Sequence, residues 1–128
     1  MIKIGLNLMN SSILKQGSIV IGNLPYSDLS TVKKRPLLII SADNYNISSY
    51  DVIVIKVTRV TSDIKIRQYS IDITNNDLSS GHLKQESAIK VDSIFYIDKK
   101  LIDVSVASIK REALDLVKNK LKALLSIK

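Results

Sequence analysis

The chain has 128 residues, 45% of them hydrophobic, and a formal net charge of +7 from 19 Lys and Arg against 12 Asp and Glu. It contains no Cys and a single His, His82, which excludes disulfides, Cys-based zinc or iron–sulfur sites, multi-histidine metal centres and any mechanism that needs two histidines. The length fits one domain able to bury a core, and the positive surplus points to an anionic partner or to a general solubility charge.

The N-terminus, "MIKIGLNLM", alternates apolar and polar residues. It has no continuous hydrophobic stretch or small-residue cleavage site, so no signal peptide is expected. Residues 1–14 are set apart as an N-terminal extension, and residues 15–128 as one domain. "SIVIGNL", residues 18–24, predicts a first strand. Residues 25–34, with Pro, Ser, Asp and Thr, predict a loop. "PLLIIS", residues 36–41, is a continuous apolar run that fits a strand buried on both faces. Pro36 suits its first position, because a proline cannot donate a ladder hydrogen bond from a strand interior.

Residues 42–51 predict a second polar loop. "VIVIKVT", residues 52–58, is the most β-branched segment and predicts a central strand. Its alternation sets Val52, Val54, Lys56 and Thr58 on one face and Ile53, Ile55 and Val57 on the other. "RQYSIDI", residues 67–73, predicts a half-buried strand. "TNNDLSSGH" predicts a turn-rich loop, and "SAIKVDS" with "IFYID" two last strands or one bent strand. From Ser108 onward, Ile109, Ala113, Leu116, Val117, Leu121, Leu124 and Leu125 recur at helical spacing. Ser108 is the expected cap and Glu112 falls near the first turn. No run is long and apolar enough to span a membrane, so no membrane association and a cytoplasmic protein are expected. No acidic cluster asks for a hard cation, so no metal and no cofactor are expected. Five or six short strands and one helix predict a mainly β fold, a small curled barrel with a C-terminal α-helix against it.

The densest positive charge, Lys33, Lys34 and Arg35, runs directly into the Pro36 strand. Arginine at a strand entrance has a fixed backbone and a planar, permanently charged fork that matches phosphate oxygens. A hydroxyl at the end of a central strand, Thr58, can donate to a phosphate oxygen without adding charge. Taken singly, Arg35 also reads as a surface cation and Thr58 as a strand-end hydroxyl bonded to backbone. Lys33, Lys34, Lys56, Arg59, Lys65 and Arg67 lie around them and would make a positive groove for a strand of nucleic acid. Tyr26 or Tyr69 could stack a base there, although a core tyrosine is the simpler fate for either.

The order of these features resembles the MazF/PemK family of toxin ribonucleases. The resemblance rests on "KQGSIVIGNLPYSDLSTVKKRPLLIIS", on "VIVIKVTRVTS", on "ESAIKVDSIFYIDKKLI" and on the amphipathic C-terminal helix, in that order over roughly residues 15 to 127. It implies an SH3-like barrel with a C-terminal helix, usually a homodimer. It also implies metal-independent cleavage of single-stranded RNA by attack of the ribose 2′-OH on the adjacent phosphate, and a co-expressed antitoxin that blocks the groove with an extended acidic tail. Arg35 and Thr58 match the family's Arg and strand-end Thr and are taken as the active pair, with Lys33, Lys34, Lys56, Arg59 and Arg67 as RNA-binding residues. The family often carries a carboxylate close before the Arg. Ser30 to Lys34 contain none, so Asp28 is the candidate base, or else a turn residue bonded to nearby backbone. Gly17-Ser18 stands where the family commonly has Gly-Asp, and His82 is expected to be a surface or loop residue. The alternative is a non-cleaving barrel that binds nucleic acid or an acidic peptide and acts in regulation, including DNA binding, with an antitoxin.

Overall fold

The computed structural model describes residues 14–25, 32–60 and 68–128. Asp28, Lys65, Arg67 and Tyr26 lie outside the described residues, as does all of the expected N-terminal extension except Leu14. Seven antiparallel strands appear among the described residues: β1 (Ser18–Pro25), β2 (Val32–Ile39), β3 (Asp51–Arg59), β4 (Ser70–Ile73), β5 (Leu78–Gly81), β6 (Ser87–Asp98) and β7 (Ile102–Ile109). A short helix α1 (Asp43–Ser48) precedes β3, and α2 (Arg111–Leu125) ends the chain. The strands form one sheet in the order β4-β6-β3-β2-β1-β7-β5. The fold is mainly β with a C-terminal helix.

The central strands bury both faces, which is why they read as unbroken aliphatic runs. Ile19, Leu38, Ile55 and Val57 face a first core. Their alternates Val20, Leu37, Ile39, Val52 and Val54 face a second. Ile73 of β4 and Leu78 of β5 both line the first core, although these strands stand at opposite ends of the sheet order. The sheet is therefore curled around that core, and Ala113 and Val117 of α2 close it. Each fully buried aliphatic side chain contributes about 1.5–3 kcal/mol of transfer free energy.

Several elements differ from expectation. Lys33 and Lys34 lie inside β2 rather than in the loop before it, and Arg35 lies within the strand rather than at its entrance. Residues 43–48 are helical, not loop. The segment expected to be a turn-rich loop contains β5, a four-residue edge strand held to β7. Gly81 ends that strand at φ +82°, and a side chain there would collide with the Val106 carbonyl and the Ala107 backbone, so only glycine fits. β7 occupies residues given no strand from sequence, and Ile109 belongs to it rather than to the helix. The helix begins at Arg111 with Lys110 at its cap position, so Ser108 is a strand residue and not the cap. Glu112 in the first turn and Lys122 in the last complement the helix dipole. Leu116 and Leu125 are exposed, so the buried stripe is narrower than the apolar one.

α1 is held by a buried polar knot rather than by helix propensity. The Asn46 side-chain amide donates to the carbonyls of Leu14 (2.8 Å) and Ser41 (3.0 Å). Its oxygen accepts from Ser41 Oγ at 2.5 Å, and Ser41 Oγ in turn accepts from Ile53 N at 3.1 Å. Gln16 N donates to Asp43 Oδ1 at 2.8 Å, and Gln16 Nε2 to the Ile40 carbonyl at 2.7 Å. The knot ties the entrance of the domain, α1 and β3 into one unit, and Leu14 is 2% exposed.

Candidate active site

Register places the two residues taken as the active pair. β2 and β3 pair at Ile39 with Val54, Leu38 with Ile55 and Leu37 with Lys56. Continued two residues past the last of these pairs, the register sets Arg35 opposite Thr58. Pairing has stopped there, so the two side chains flank the opening between the strand ends. Arg35 is also opposite Gly22 of β1, Thr58 is opposite Ala88 of β6, and Ala88 is opposite Asp72 of β4. Directly opposed residues share a face. Gly22, Arg35, Thr58, Ala88 and Asp72 therefore form a row across five strands, with Arg35 the only long cation in it.

The neighbours of Arg35 in this row are small, and the space at Gly22 is tight. A Cβ at Gly22 would sit 3.1 Å from both the Leu101 carbonyl oxygen and Leu37 Cδ1. The turn at Lys99–Leu101 and the start of β7 thus press against the row from one side. Arg35 itself is half-buried. Among the described residues, its Nε is the buried side-chain nitrogen or oxygen with no hydrogen-bond partner. A buried, unsatisfied guanidinium nitrogen costs roughly 1–3 kcal/mol, and more where the group is charged. An anionic oxygen placed at the opening would remove that cost.

The other candidate cations divide between faces. Alternation puts Lys33 on the Arg35 face of β2 and Lys34 on the reverse. Lys34 Nζ lies 2.6 Å from Asp103 Oδ2 in an exposed ion pair. Lys56 is half-buried and shares the Thr58 face, whereas Arg59 is exposed and alternates away. Tyr69 packs half-buried against the first core, and His82 is exposed.

One feature of this region was not assigned from sequence. On β3 only Lys56 separates Ile55, opposite Ile94, from Val57, opposite Ile89. On β6 the residues from Lys90 to Ser93 span the same gap. This bulge carries three extra residues, an odd number, so it switches faces: Ile89 and Val91 enter the first core, Phe95 and Ile97 the second. Such bulges bend a strand and re-aim its side chains. Here Lys90, which is half-buried, and Asp92, which is exposed, lie in the stretch of β6 that spans the gap at Lys56. The polar–apolar alternation of "SAIKVD" is the local signal that could have marked Lys90 and Asp92 as outward residues, but the register shift that puts them beside the gap at Lys56 is long-range.

Chemically the face combines a guanidinium with an unused buried donor, a strand-end hydroxyl, two further cations at Lys56 and Lys90, and a carboxylate at Asp92. Such a set can grip a phosphate, orient it and stabilise added negative charge on it.

Comparison with known proteins gives the family and the fold. A family model described as "PemK-like, MazF-like toxin of type II toxin-antitoxin system" matches residues 15–125. No curated protein sequence matches. The fold is similar to a MazE-MazF crystal structure from Deinococcus radiodurans (TM-score 0.70, 18% identity, covering 91% of this chain and 98% of that one). It is also similar to an endoribonuclease in complex with its cognate antitoxin from a mycobacterial species (TM-score 0.69, 16% identity, 89% and 96% covered). A third similar structure is the Mycobacterium tuberculosis toxin MazF-mt6 (TM-score 0.68, 15% identity, 87% and 98% covered).

Proposed function

The chain belongs to the PemK-like, MazF-like toxin family of type II toxin–antitoxin systems, and on that premise we propose that it is a metal-independent endoribonuclease acting on single-stranded RNA at the Arg35–Thr58 face. The observation that carries this reading is the buried, unpartnered Nε of Arg35, a residue on the same face as Thr58. The structural relatives named as endoribonucleases, one with its cognate antitoxin, support the same activity and the same kind of partner.

In this reaction the ribose 2′-oxygen attacks phosphorus as its proton passes to a base. The bond from phosphorus to the 5′-oxygen breaks, and that oxygen takes up a proton. The products are a 2′,3′-cyclic phosphate and a free 5′-hydroxyl. Arg35 holds the non-bridging oxygens and stabilises the charge that builds on them, and Thr58 donates a second hydrogen bond. Lys33, Lys56 and Lys90 draw the backbone along the face, with Arg59 and Arg67 extending the field. Asp28 is the base expected from sequence, and Asp92, in the stretch of β6 that spans the gap at Lys56, is the competing candidate. The protein acts in the cytoplasm as a homodimer, and an antitoxin with an acidic tail covers the same face by matching its charge.

The test is incubation of purified, folded protein with single-stranded RNA in excess chelator, with the product ends mapped. Cyclic phosphate ends that vanish in Arg35→Ala support the reading. Intact RNA, bound with steep salt dependence but never cut, would instead assign a non-cleaving binding module. The absence of a carboxylate between Ser30 and Lys34 favours that outcome.

A further inference from the structure

The pairing of β3 with β6 runs past the active pair. Thr58 is opposite Ala88 and Arg59 is opposite Ser87. One step further, Val60 N donates to the Glu86 carbonyl at 3.3 Å. Opposed residues share a face, and the face alternates along a strand. Glu86 therefore lies on the face of Arg35 and Thr58, two residues from Ala88, or about 7 Å along the strand direction. The β2–β3 register, continued by the same steps that set Arg35 opposite Thr58, sets Lys33 opposite Val60. Lys33, Val60 and Glu86 thus make the next row outward from Arg35 and Thr58.

Glu86 is fixed by its backbone and free at its side chain. Beside it, Ser87 is 7% exposed and donates from Oγ to the Gln85 carbonyl at 3.1 Å. With the Val60 bond, this holds the residues on both sides of the carboxylate. The Glu86 side chain is exposed. Among the described residues it has no hydrogen bond and no ion pair. Arg59 alternates to the reverse face, and Asp72, the carboxylate at the end of the Arg35 row, is not free in this way. Glu86 is an uncompensated negative charge, rigidly placed on a face otherwise furnished with Lys33, Arg35 and Lys56.

Such a group cannot help to hold a phosphate, because it repels the oxygens that the cations attract. A carboxylate only accepts hydrogen bonds, so what it can recognise in a strand of RNA is a donor. Single-stranded RNA is read through splayed bases hydrogen-bonded on their Watson–Crick edges. On that edge adenine, cytosine and uracil each set their donor beside an acceptor, which would face the second carboxylate oxygen and be repelled by it. Guanine alone has two adjacent donors, N1–H and the N2 amino group, spaced to meet both oxygens at once. We propose that Glu86 is a base-reading residue, selecting guanine at a nucleotide next to the scissile phosphate. The cations draw the backbone in without regard to sequence, and Glu86 discriminates among the strands they hold. The proposal rests on the endoribonuclease reading above and supplies its substrate sequence.

The test is incubation of the full chain with a pool of single-stranded RNA of randomised sequence, followed by sequencing of the cut ends. Wild type is expected to cut beside guanine at one fixed position, favoured about 10-fold or more over each other base, the scale of a bidentate contact. Inosine lacks the N2 amino group. In place of that guanine it should lower kcat/KM about 10-fold, the loss of one hydrogen bond to a charged acceptor. Glu86→Gln preserves size at an exposed position, and circular dichroism checks that it folds. Its amide offers one donor and one acceptor, so preference should move from guanine to a base that sets a donor beside an acceptor. Inosine should then cost less than about 2-fold relative to guanine, because no charged acceptor remains. A glutamate with only a structural role would change the rate and leave the preference in place. RNA cut without preference for guanine, or with a preference that survives Glu86→Gln, overturns the proposal and leaves the endoribonuclease reading standing. RNA left whole by the wild type overturns that reading and the proposal with it.

Discussion

Two buried polar sites in this molecule are built in opposite ways. At Asn46 the amide nitrogen has two acceptors and the oxygen a donor, and Ser41 both gives and receives. At Arg35 the buried Nε has no partner. The first arrangement is complete without any other molecule and holds the fold. The second is incomplete, and carries a cost of desolvation that an anion at the strand opening would relieve. Satisfaction of buried donors thus separates the residues that make structure from those prepared for a ligand, although both sets are polar residues on or beside the same central strands.

Substitution can break that contrast at either site. Arg35→Ala is expected to lower RNA cleavage by about 10²–10³-fold, the loss typical of removing one preorganised donor to a transition-state oxyanion. Its unfolding midpoint in urea should stay close to the wild-type value, because the deleted nitrogen was unsatisfied in the folded state. Asn46→Ala should do the reverse. It strips partners from the Leu14 and Ser41 carbonyls and from Ser41 Oγ and should cost about 2–4 kcal/mol in urea denaturation. Cleavage per folded molecule would be retained.

Thr58→Val sharpens the comparison further. The β-branched shape is kept and only the hydroxyl is lost. Cleavage should fall about 10-fold, the usual worth of one hydrogen bond to a charged group, with stability within about 1 kcal/mol of wild type. Lys34→Ala should have the smallest effect. Its ion pair with Asp103 is solvent-exposed and contributes no more than about 1 kcal/mol. Because Lys34 lies on the reverse of β2, cleavage should fall less than in Lys33→Ala, measured side by side at one salt concentration.

Much of this was legible in the sequence where the physics is local. β3 and the core of β2 announced themselves as β-branched or aliphatic runs, and alternation alone put Lys56 and Thr58 on one face. The elements that escaped depend on distant partners. α1 is a polar segment of six residues that no propensity would favour, and it persists because Asn46 reaches Leu14 across 32 positions. β5 is a four-residue strand with Leu78 as its buried residue, paired to β7. β7 itself, "IDVSVASI", has no continuous apolar run to draw attention to it. The bulge on β6 is likewise invisible in "IKVDSI", because a register shift is a property of two strands. That shift puts Lys90 and Asp92 in the stretch of β6 that spans the gap at Lys56, and so offers a carboxylate where Ser30 to Lys34 has none. The joint placement of Arg35 and Thr58 needed the β2–β3 register for the same reason.

The most direct measurement is the Arg35 Nε–H resonance in a ¹⁵N-labelled sample titrated with single-stranded RNA carrying 2′-deoxy residues, which binds without being cut. The signal should move downfield and exchange more slowly as RNA is added, because a phosphate oxygen becomes its hydrogen-bond acceptor. If that resonance stays in place while RNA saturates the protein, Arg35 is not the phosphate grip.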